Sequence, residues 1–411
     1  MTLRKNDKEI YELIQKERRR QAEVLELIAS ENYVSDAVLE TLGSVLTNKY
    51  SEGYSRKRYY GGNEVIDQIE ELAISRVREA FELPLDWHVN VQPYSGSPAN
   101  LEVYNALLEP KDTIMAMSLD QGGHLTHGSP VNFSGKTYNF VHYGVSPKTG
   151  KIDYMEVLKM ADRVNPKLLL CGFTAYPREI DFKRFYEIAE KVKAIAMADI
   201  SHIAGLVVGG VHPSPIPFFD VVTTTTHKTL RGPRGAIIMC KDKFATQIDK
   251  SVFPGLQGGP HENAIASIAV TMREAKTAAF RRYAEQIVKN SKALAKSLQD
   301  FGFKLISGGT DNHLMLVDLT NKNMGGKQAQ ELLDRAGIVT NRTMIPYDTR
   351  KPWDPSGIRL GTAAITSRGM KEKEMSKIAS WITAVITDPS VADNVREEIK
   401  RFTKNFPAPG L

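Results

Sequence analysis

The stretches AIAMAD (residues 194–199) and FDVVTTTTHKTLRGPRG (residues 219–235) decide the fold of this chain. Each begins as an apolar run of strand length and then turns polar, at Asp199 in the first and at His227-Lys228 in the second. Three more runs of this kind are TIMAM (113–117), LLLCGF (168–173) and GAIIMC (235–240). Helical patterns lie between such runs, at 65–80, 97–108 and 182–194. This alternation predicts an α/β fold with a mostly parallel sheet covered by helices on both faces.

The last third of the chain has a different pattern. One long helical pattern runs from Glu262 to Leu298, and Gly302 follows as a stop signal. Strand-like segments then occur at 303–307 and 313–319, followed by a helical pattern at 326–336. A chain of 411 residues also exceeds the size of one hydrophobic core. We therefore predict three parts: an N-terminal helical arm at 1–50, a large domain at 51–275, and a small α+β C-terminal domain at 276–411.

Composition narrows the class of protein. The hydrophobic fraction is 42% and the charged fraction is 25%, an ordinary globular balance. The net charge of +6 is spread along the chain, and no nucleic-acid-binding motif accompanies it, so we expect no nucleic-acid partner. No apolar run approaches the ~20 residues that span a bilayer, and the N-terminus is too polar for a secretion signal. Cys171 and Cys240 lie in apolar runs without metal-ligand spacing. We expect buried thiols, no metal, no membrane association and a cytoplasmic location.

The polar residues after the two deciding strands indicate a site. In parallel sheets, ligands bind outside the carboxyl ends of the strands, so Asp199 and Lys228 should face one crevice. A carboxylate and an amine placed in this way could form a simple ion pair. The neighbouring residues His202, Thr225 and His227 make the pattern more specific than such a pair.

The cofactor pyridoxal 5'-phosphate (PLP) needs these parts. A lysine must form a Schiff base with its aldehyde, and a carboxylate must keep the pyridine nitrogen protonated. We predict that Lys228 and Asp199 fill these roles. Ser95-Gly96-Ser97 precedes a predicted helix and would cradle the phosphate at the helix N-terminus. His124, flanked by glycine in QGGHLTHG, could cover the ring face.

Nine segments, in order along the chain, resemble serine hydroxymethyltransferase. They are IASEN (28–32), NKYSEGY (48–54), RYYGG (58–62), GGHLTHGSPVNFSG (122–135), DISHIAGL (199–206), VVTTTTHKTLRGPRG (221–235), FPGLQGGP (253–260), SGGTDNHL (307–314) and SGIRLGT (356–362). The resemblance implies the fold-type I PLP-dependent transferase architecture and an obligate homodimer whose active sites are shared between subunits. It also implies transfer of the hydroxymethyl carbon of serine to tetrahydrofolate, giving glycine and 5,10-methylenetetrahydrofolate.

The resemblance also implies roles for individual residues. Lys228 and Asp199 match the lysine and the carboxylate just described, His124 the stacked ring, and Thr225 a neighbouring catalytic position. Matches to other cofactor contacts are Thr174, His202, Ser95, Gly96, Ser97, His227 and Arg234, joined by Tyr50, Gly258 and Gly259 of the neighbouring chain. Matches to substrate and folate contacts are Arg359, Ser30 and Tyr60 for the carboxylate, Glu52 with Tyr59 for proton transfer, and Leu119, Gly123, Leu125 and Thr343 for folate.

Alternatives stay open at several positions. Arg234 could be a phosphate-side contact or a surface arginine, and His227 could be only a structural donor. His313 is expected to be an interior histidine with satisfied hydrogen bonds. Thr343 replaces the asparagine that is expected to contact the pteridine, and it offers one hydroxyl in place of an amide. A related activity is therefore an alternative: folate-independent aldol cleavage of β-hydroxy amino acids, or transfer to a modified pterin.

Overall fold

The computed structural model describes residues 2–411. Its helices are α1 Leu3–Asn6, α2 Lys8–Glu23, α3 Asp36–Leu42, α4 Glu64–Ala80, α5 Gly96–Leu107, α6 Phe133–Thr137, α7 Tyr154–Val164, α8 Phe182–Lys191, α9 Ala204–Val208, α10 Ala245–Lys250, α11 Glu262–Ala275, α12 Ala278–Asp300, α13 Gly326–Arg335, α14 Ala363–Ser367, α15 Glu372–Thr387 and α16 Ala392–Thr403. Its strands are β1 Leu25–Glu26, β2 Gly53–Tyr54, β3 Lys57–Arg58, β4 Trp87–Asn90, β5 Thr113–Met117, β6 Asn139–Tyr143, β7 Leu168–Gly172, β8 Ile195–Asp199, β9 Val221–Thr225, β10 Ala236–Lys241, β11 Lys304–Leu305, β12 Leu314–Asp318, β13 Ile338–Val339, β14 Asn341–Thr343 and β15 Gly357–Gly361.

A seven-stranded sheet forms the centre of the larger part of the molecule. Its strand order is β4-β10-β9-β8-β7-β5-β6. The five strands from β9 to β6 are parallel, whereas β10 runs antiparallel to β9 and β4. Every residue of β7 and β9 is buried, which explains why these strands read as unbroken apolar runs or as threonines. The predicted α/β class with a mostly parallel sheet is confirmed.

The two deciding strands are neighbours in this sheet. Asp199, the last residue of β8, pairs with Thr223 of β9. The strand β9 ends at Thr225, three residues before Lys228. Beyond the strand the chain forms a loop, which is closed by a hydrogen bond from the N–H of Gly232 to the carbonyl of Thr226 at 2.8 Å. Lys228 therefore lies on a loop beside the strand end rather than on the strand itself.

The single long helix predicted from Glu262 to Leu298 is wrong. The structure has two helices, α11 and α12, separated at Lys276 and Thr277. The Thr277 hydroxyl accepts a hydrogen bond from the N–H of Phe280 at 3.2 Å and so caps α12. Helical spacing on both sides of the break masked this start signal, although threonine is a favoured N-cap residue.

A second, antiparallel sheet has the order β11-β12-β15-β14. Helix α12 contributes to two hydrophobic cores. Tyr283 and Ile287 belong to the core of the seven-stranded sheet, whereas Leu294 and Leu298 belong to the core around the second sheet. The smaller C-terminal α+β part is thus present, and the division of the chain at 50 and 275 stays a prediction.

The N-terminal segment packs on the C-terminal part through β1, which pairs with β13 in parallel. Helix α2 keeps Ile10, Leu13 and Ile14 exposed. Both cysteines are free and buried. None of the helices within residues 2–411 is both long enough and apolar enough to cross a membrane. The same residues contain no group of three or more acidic, histidine or cysteine side chains arranged to hold a metal ion.

Candidate active site

The carboxyl ends of the parallel strands open into a cavity of about 300 Å³. Thr174 follows β7, Asp199 ends β8 and Thr225 ends β9, and all three line the cavity. Ligands in sheets of this kind bind at this edge. The cavity brings together these sequence-predicted residues: Ser30, Ser95, Gly96, Ser97, His124, Thr174, Asp199, His202, Thr225, His227, Lys228, Arg234 and Arg359.

Asp199 is held as a carboxylate by hydrogen bonds from several directions. The Asn100 amide donates to its Oδ2 at 2.9 Å, and the N–H of Ser201 donates to its Oδ1 at 3.0 Å. His127 Nε2 lies 3.3 Å from Oδ2. Burial alone would raise the pKa of Asp199, but the hydrogen bond from His127 and the positive charge of Lys228 lower it below the ordinary value. Asp199 is therefore a permanent negative charge in the wall of the cavity.

Two histidines of the HLTH segment have assignable tautomers. The backbone N–H of His124 donates to His127 Nδ1 at 3.2 Å, so His127 carries its proton on Nε2 and directs it to Asp199. The N–H of Thr126 donates to His124 Nδ1 at 3.2 Å, which leaves the His124 proton on Nε2 as well. Burial lowers the pKa of His124 to about 4. His124 is thus a neutral ring, suited to lie against an aromatic ligand.

Lys228 has the electrostatics of a nucleophilic amine. Burial, together with the charges of Arg359 and Arg234, lowers its pKa to about 8, although Asp199 acts in the opposite direction. Its carbonyl accepts hydrogen bonds from Asn32 Nδ2 at 2.9 Å and from the N–H of Arg231 at 2.9 Å, which fix the loop. A lysine with this pKa is partly uncharged near neutral pH, and only the uncharged amine attacks a carbonyl group.

The N-terminus of α5 forms an anion cradle at one end of the cavity. The helix begins at Gly96, and Ser95 makes no side-chain capping bond, so the first N–H groups face the cavity without helical partners. A side chain at Gly96 would place its Cβ 2.6 Å from Cγ2 of Thr225, so only glycine fits there. His227 Nδ1 is buried and has no hydrogen-bond partner within residues 2–411. Burial lowers the pKa of His227 to about 3, so it is neutral.

Arg359 lies at the other side of the cavity on β15. Its Nε donates to Asn341 Oδ1 at 3.1 Å, and its Nη1 donates to the Thr174 carbonyl at 2.7 Å. Burial lowers the pKa of Arg359 to about 10, so it stays a cation at neutral pH. These two bonds hold the guanidinium plane while leaving donors for an anionic ligand such as a carboxylate. Ser30 lines the same cavity.

The predicted residues of the tyrosine loop do not line this cavity. Tyr50 packs on Gly259, whose Cβ would lie 3.0 Å from the Tyr50 ring, and its own ring contacts Tyr60 edge to face at 5.2 Å. Glu52 lies against Gly258. Tyr59, 73% exposed, contacts Phe253 edge to face. We call the cluster of Tyr50, Glu52, Tyr59, Tyr60, Gly258 and Gly259 the tyrosine-loop cluster.

The predicted folate contacts also lie outside the cavity. Leu119 and Leu125 are exposed, at 47% and 45%. Gly123, between them in the sequence, is buried. A Cβ at this position would lie 2.2 Å from the Met117 carbonyl oxygen, so a side chain does not fit there. Thr343 is on β14, where its hydroxyl donates to the carbonyl of Met344 at 3.3 Å.

Some residues of the site were missed by sequence reasoning. Asn100 and His127 hold Asp199, Phe173 and Ser201 line the cavity, and Asn341 holds Arg359. His127 had a usable signal, since it follows His124 by three positions in a glycine-bounded loop. Asn100 is one turn into a helix and reaches Asp199 across 99 residues of sequence, so no local pattern could reveal it.

The donor set fits PLP. The cavity offers an amine of lowered pKa, a buried carboxylate, a neutral ring and an anion cradle with an unpartnered imidazole nitrogen. Its volume is at the lower end of the range of roughly 300–1,000 Å³ that small-molecule sites occupy.

Comparison with known proteins agrees with this chemistry. The model of the family described as serine hydroxymethyltransferase matches residues 3–382. The chain belongs to the serine hydroxymethyltransferase family. Curated relatives named serine hydroxymethyltransferase include proteins from Desulfotalea psychrophila, Acidothermus cellulolyticus and Sorangium cellulosum. Each is 56% identical to this chain, and the matches cover 98–100% of this chain and 96% of each relative.

Membership settles two expectations. The serine hydroxymethyltransferase family depends on PLP, uses tetrahydrofolate as co-substrate and has the fold-type I architecture. The predicted fold class and cofactors are thereby confirmed.

Proposed function

We propose that this chain catalyses the reversible transfer of the hydroxymethyl carbon of L-serine to tetrahydrofolate, giving glycine and 5,10-methylenetetrahydrofolate. The observation that carries the proposal is that one cavity holds the Lys228 amine, the Asp199 carboxylate and the Arg359 guanidinium. Serine and glycine present an amino group and a carboxylate on one carbon. Arg359 can bind the substrate carboxylate, whereas Lys228 and Asp199 can bind the aldehyde and the pyridine nitrogen of the cofactor, whose aldehyde carbon takes the substrate amino group.

Bound PLP supplies an electron-accepting ring that weakens bonds at the substrate Cα. Asp199 holds a proton at the pyridine nitrogen, since its own pKa is too low for it to take that proton. Lys228 provides the uncharged amine that attaches to the aldehyde. Ser95, Gly96, Ser97 and His227 hold the phosphate, and Arg234 adds positive charge at the rim.

Arg359 orients the substrate. Its guanidinium donates two parallel hydrogen bonds to the carboxylate, with Ser30 beside it. By holding the carboxylate, Arg359 would fix the orientation of the substrate Cα, and the bound cofactor would weaken the Cα bond that this orientation aligns with its π system. His202, Thr174 and Thr225 complete the wall against the ring and the substrate.

We propose an obligate homodimer in which the tyrosine-loop cluster serves the cavity of the partner subunit. The exposure of Tyr59 and Tyr60, at 73% and 49%, supports this arrangement, because large aromatic groups are enriched at interfaces. In the dimer, Tyr50, Gly258 and Gly259 reach the phosphate and Tyr60 reaches the substrate carboxylate. Glu52, with Tyr59 beside it, moves a proton at the serine hydroxyl.

The folate is placed by the segment that contains Leu119, Gly123 and Leu125, where the exposed apolar side chains of the two leucines suit a flat ring. Thr343 faces the pteridine with one hydroxyl, and this residue supports the second candidate function, transfer to a modified pterin or folate-independent aldol cleavage. The two free, buried cysteines support a cytoplasmic location, where thiols stay reduced.

The test is turnover of the PLP-loaded protein with L-serine and tetrahydrofolate. We expect glycine and methylenetetrahydrofolate in equal amounts, and a loss of at least about 10³-fold in Lys228→Ala because the nucleophile is removed. Lys159→Ala, a change at an exposed lysine paired with Glu156, should keep full activity. Protein that takes up no PLP contradicts the proposal. Equal cleavage of a 3-hydroxy amino acid with and without tetrahydrofolate, or turnover with another pterin alone, would favour the second candidate.

A further inference from the structure

Two polar side chains behind the cavity differ in how completely they are hydrogen-bonded. The expectation that the interior His313 has satisfied hydrogen bonds is wrong, because its Nδ1 has no hydrogen-bond partner within residues 2–411. The amide of Asn32, in contrast, uses both of its N–H groups and both lone pairs of its oxygen. The proposed mechanism gives Asn32 no role, although its amide contacts the loop that carries Lys228.

The partners of Asn32 fix the orientation of its amide. The carbonyl of Lys228 can only accept, so it faces Nδ2 of Asn32, at 2.9 Å. The backbone N–H of Tyr33 can only donate, so it faces Oδ1, also at 2.9 Å. The second N–H of Nδ2 donates to the hydroxyl of Tyr283 at 2.7 Å, and the hydroxyl of Ser367 donates to Oδ1 at 2.7 Å. The direction of each of these hydrogen bonds is therefore determined.

Tyr283, on α12, extends this support to the residue after the lysine. Its hydroxyl accepts from Asn32, so its own proton is directed to the carbonyl of Thr229, at 3.3 Å. The Thr229 hydroxyl in turn donates to the carbonyl of His202 at 3.0 Å, which joins the loop to a second segment of the cavity. Two consecutive carbonyls, those of Lys228 and Thr229, are thus held by one pair of side chains.

The segment that carries Asn32 also contacts the strand of Arg359. The N–H of Gly361, two residues beyond Arg359 on β15, donates to the carbonyl of Leu27 at 2.8 Å. Ser30, between Leu27 and Asn32, lines the cavity. One short segment therefore joins the side of the cavity that has the guanidinium to the loop that has the amine.

We propose that Asn32 is a positioning residue, which holds the backbone of Lys228 so that the amine meets the aldehyde of PLP at a fixed distance from Arg359. Without Asn32 the Lys228 carbonyl keeps only the hydrogen bond from the N–H of Arg231. Asn32 is uncharged, so its loss leaves in place the charged groups that set the pKa of Lys228. We therefore expect slower attachment of PLP at an unchanged pH midpoint.

The experiment is stopped-flow absorbance of PLP attachment to the apo-protein from mildly acidic to alkaline pH. In Asn32→Ala we expect the plateau rate to fall about tenfold, the effect of one hydrogen bond, while the midpoint stays where it is in the unsubstituted protein. Tyr283→Phe keeps the ring and loses only the hydroxyl, so its plateau should fall about threefold, again without a shift of the midpoint. Unchanged plateau rates in both variants, or a shifted midpoint in Asn32→Ala, would overturn the proposal.

A matched control separates position from stability. Asp153→Ala removes the side chain that accepts from the N–H of Met155 at 3.0 Å and caps α7, a helix without contact to the cavity. Its thermal midpoint should fall, whereas its attachment rate should not change. An equal loss of rate in Asp153→Ala and Asn32→Ala would also overturn the proposal. The inference rests on the proposed role of Lys228: unsubstituted protein that takes up no PLP contradicts that role, whereas unchanged variants contradict only the role of Asn32.

Discussion

At the scale of single residues, the surroundings of Asp199 and Lys228 give these two side chains different charge states. Asp199 stays ionised because Asn100, Ser201 and His127 direct N–H groups at it, whereas Lys228 loses part of its charge because burial and two arginines oppose it. A carboxylate and an amine in one cavity would otherwise form an ion pair with both charges strengthened. The amine is kept reactive by its other neighbours.

This balance predicts a pH dependence for cofactor attachment. The uncharged fraction of Lys228 increases as the pH rises through its pKa of about 8, so the rate of PLP attachment to the apo-protein should rise with pH and level off above that value. Stopped-flow absorbance between pH 6 and pH 10 measures it. Arg359→Gln removes a charge that lowers this pKa, so the levelling should move to higher pH. A rate still climbing tenfold per unit at pH 10 would mean an ordinary lysine.

At the scale of elements, strand ends and helix starts supply the groups of the cavity. Helix α5 has a second role, because it carries Glu102 on its buried side. Neither carboxyl oxygen of Glu102 has a hydrogen-bond partner within residues 2–411, and burial raises its pKa to about 8. In the unfolded chain this pKa is near 4.5. The folded state therefore binds a proton that the unfolded chain has lost across this interval.

The consequence is a stability loss at high pH. The contribution of protonated Glu102 is fully present below about pH 4.5 and is lost as the pH rises through about 8, at a cost of a few kcal/mol. Glu102→Gln cannot ionise, so its urea midpoint relative to the unsubstituted protein should rise steadily between pH 5 and pH 9. Glu109→Gln, at an exposed position just beyond the same helix, should show no such trend. A constant difference for Glu102→Gln would show that Glu102 has another partner.

At the scale of the whole molecule, the proposed site is divided. The cavity of one chain has the cofactor groups, whereas the tyrosine-loop cluster lies apart from that cavity on the same chain. In the proposed symmetric dimer, a two-fold interface brings each cluster to the other cavity and so completes both sites at once. The exposed Ile10, Leu13 and Ile14 of α2 give further apolar surface for such an assembly.

The shared site predicts complementation between inactive variants. Lys228→Ala and Glu52→Gln should each be inactive in serine turnover as homodimers. A heterodimer has one site with both changes and one site with neither, so subunits mixed in equal amounts and exchanged should recover about a quarter of full activity. Turnover after unfolding and joint refolding measures it. No recovery, with heterodimers verified by mass spectrometry, would place Lys228 and Glu52 in the same site of one chain.

Much of the fold was predictable from the sequence because its signals are local. The strands β5, β7, β8, β9 and β10 consist mainly of apolar residues or threonines, as burial on both faces of a sheet requires. The break between α11 and α12 was not predicted, because apolar residues keep helical spacing across Thr277.

The sequence by itself determined the α/β class and the family, and it predicted the roles of Lys228 and Asp199, because each depends on residue type and order along the chain. Only the tertiary structure decided that His124 and His127 each accept a hydrogen bond at Nδ1, that Asn100 and His127 hold Asp199, and that the tyrosine-loop cluster lies outside its own cavity. Those facts depend on atoms brought within about 3 Å of each other from distant positions in the chain, and hydrogen bonding acts only at that range.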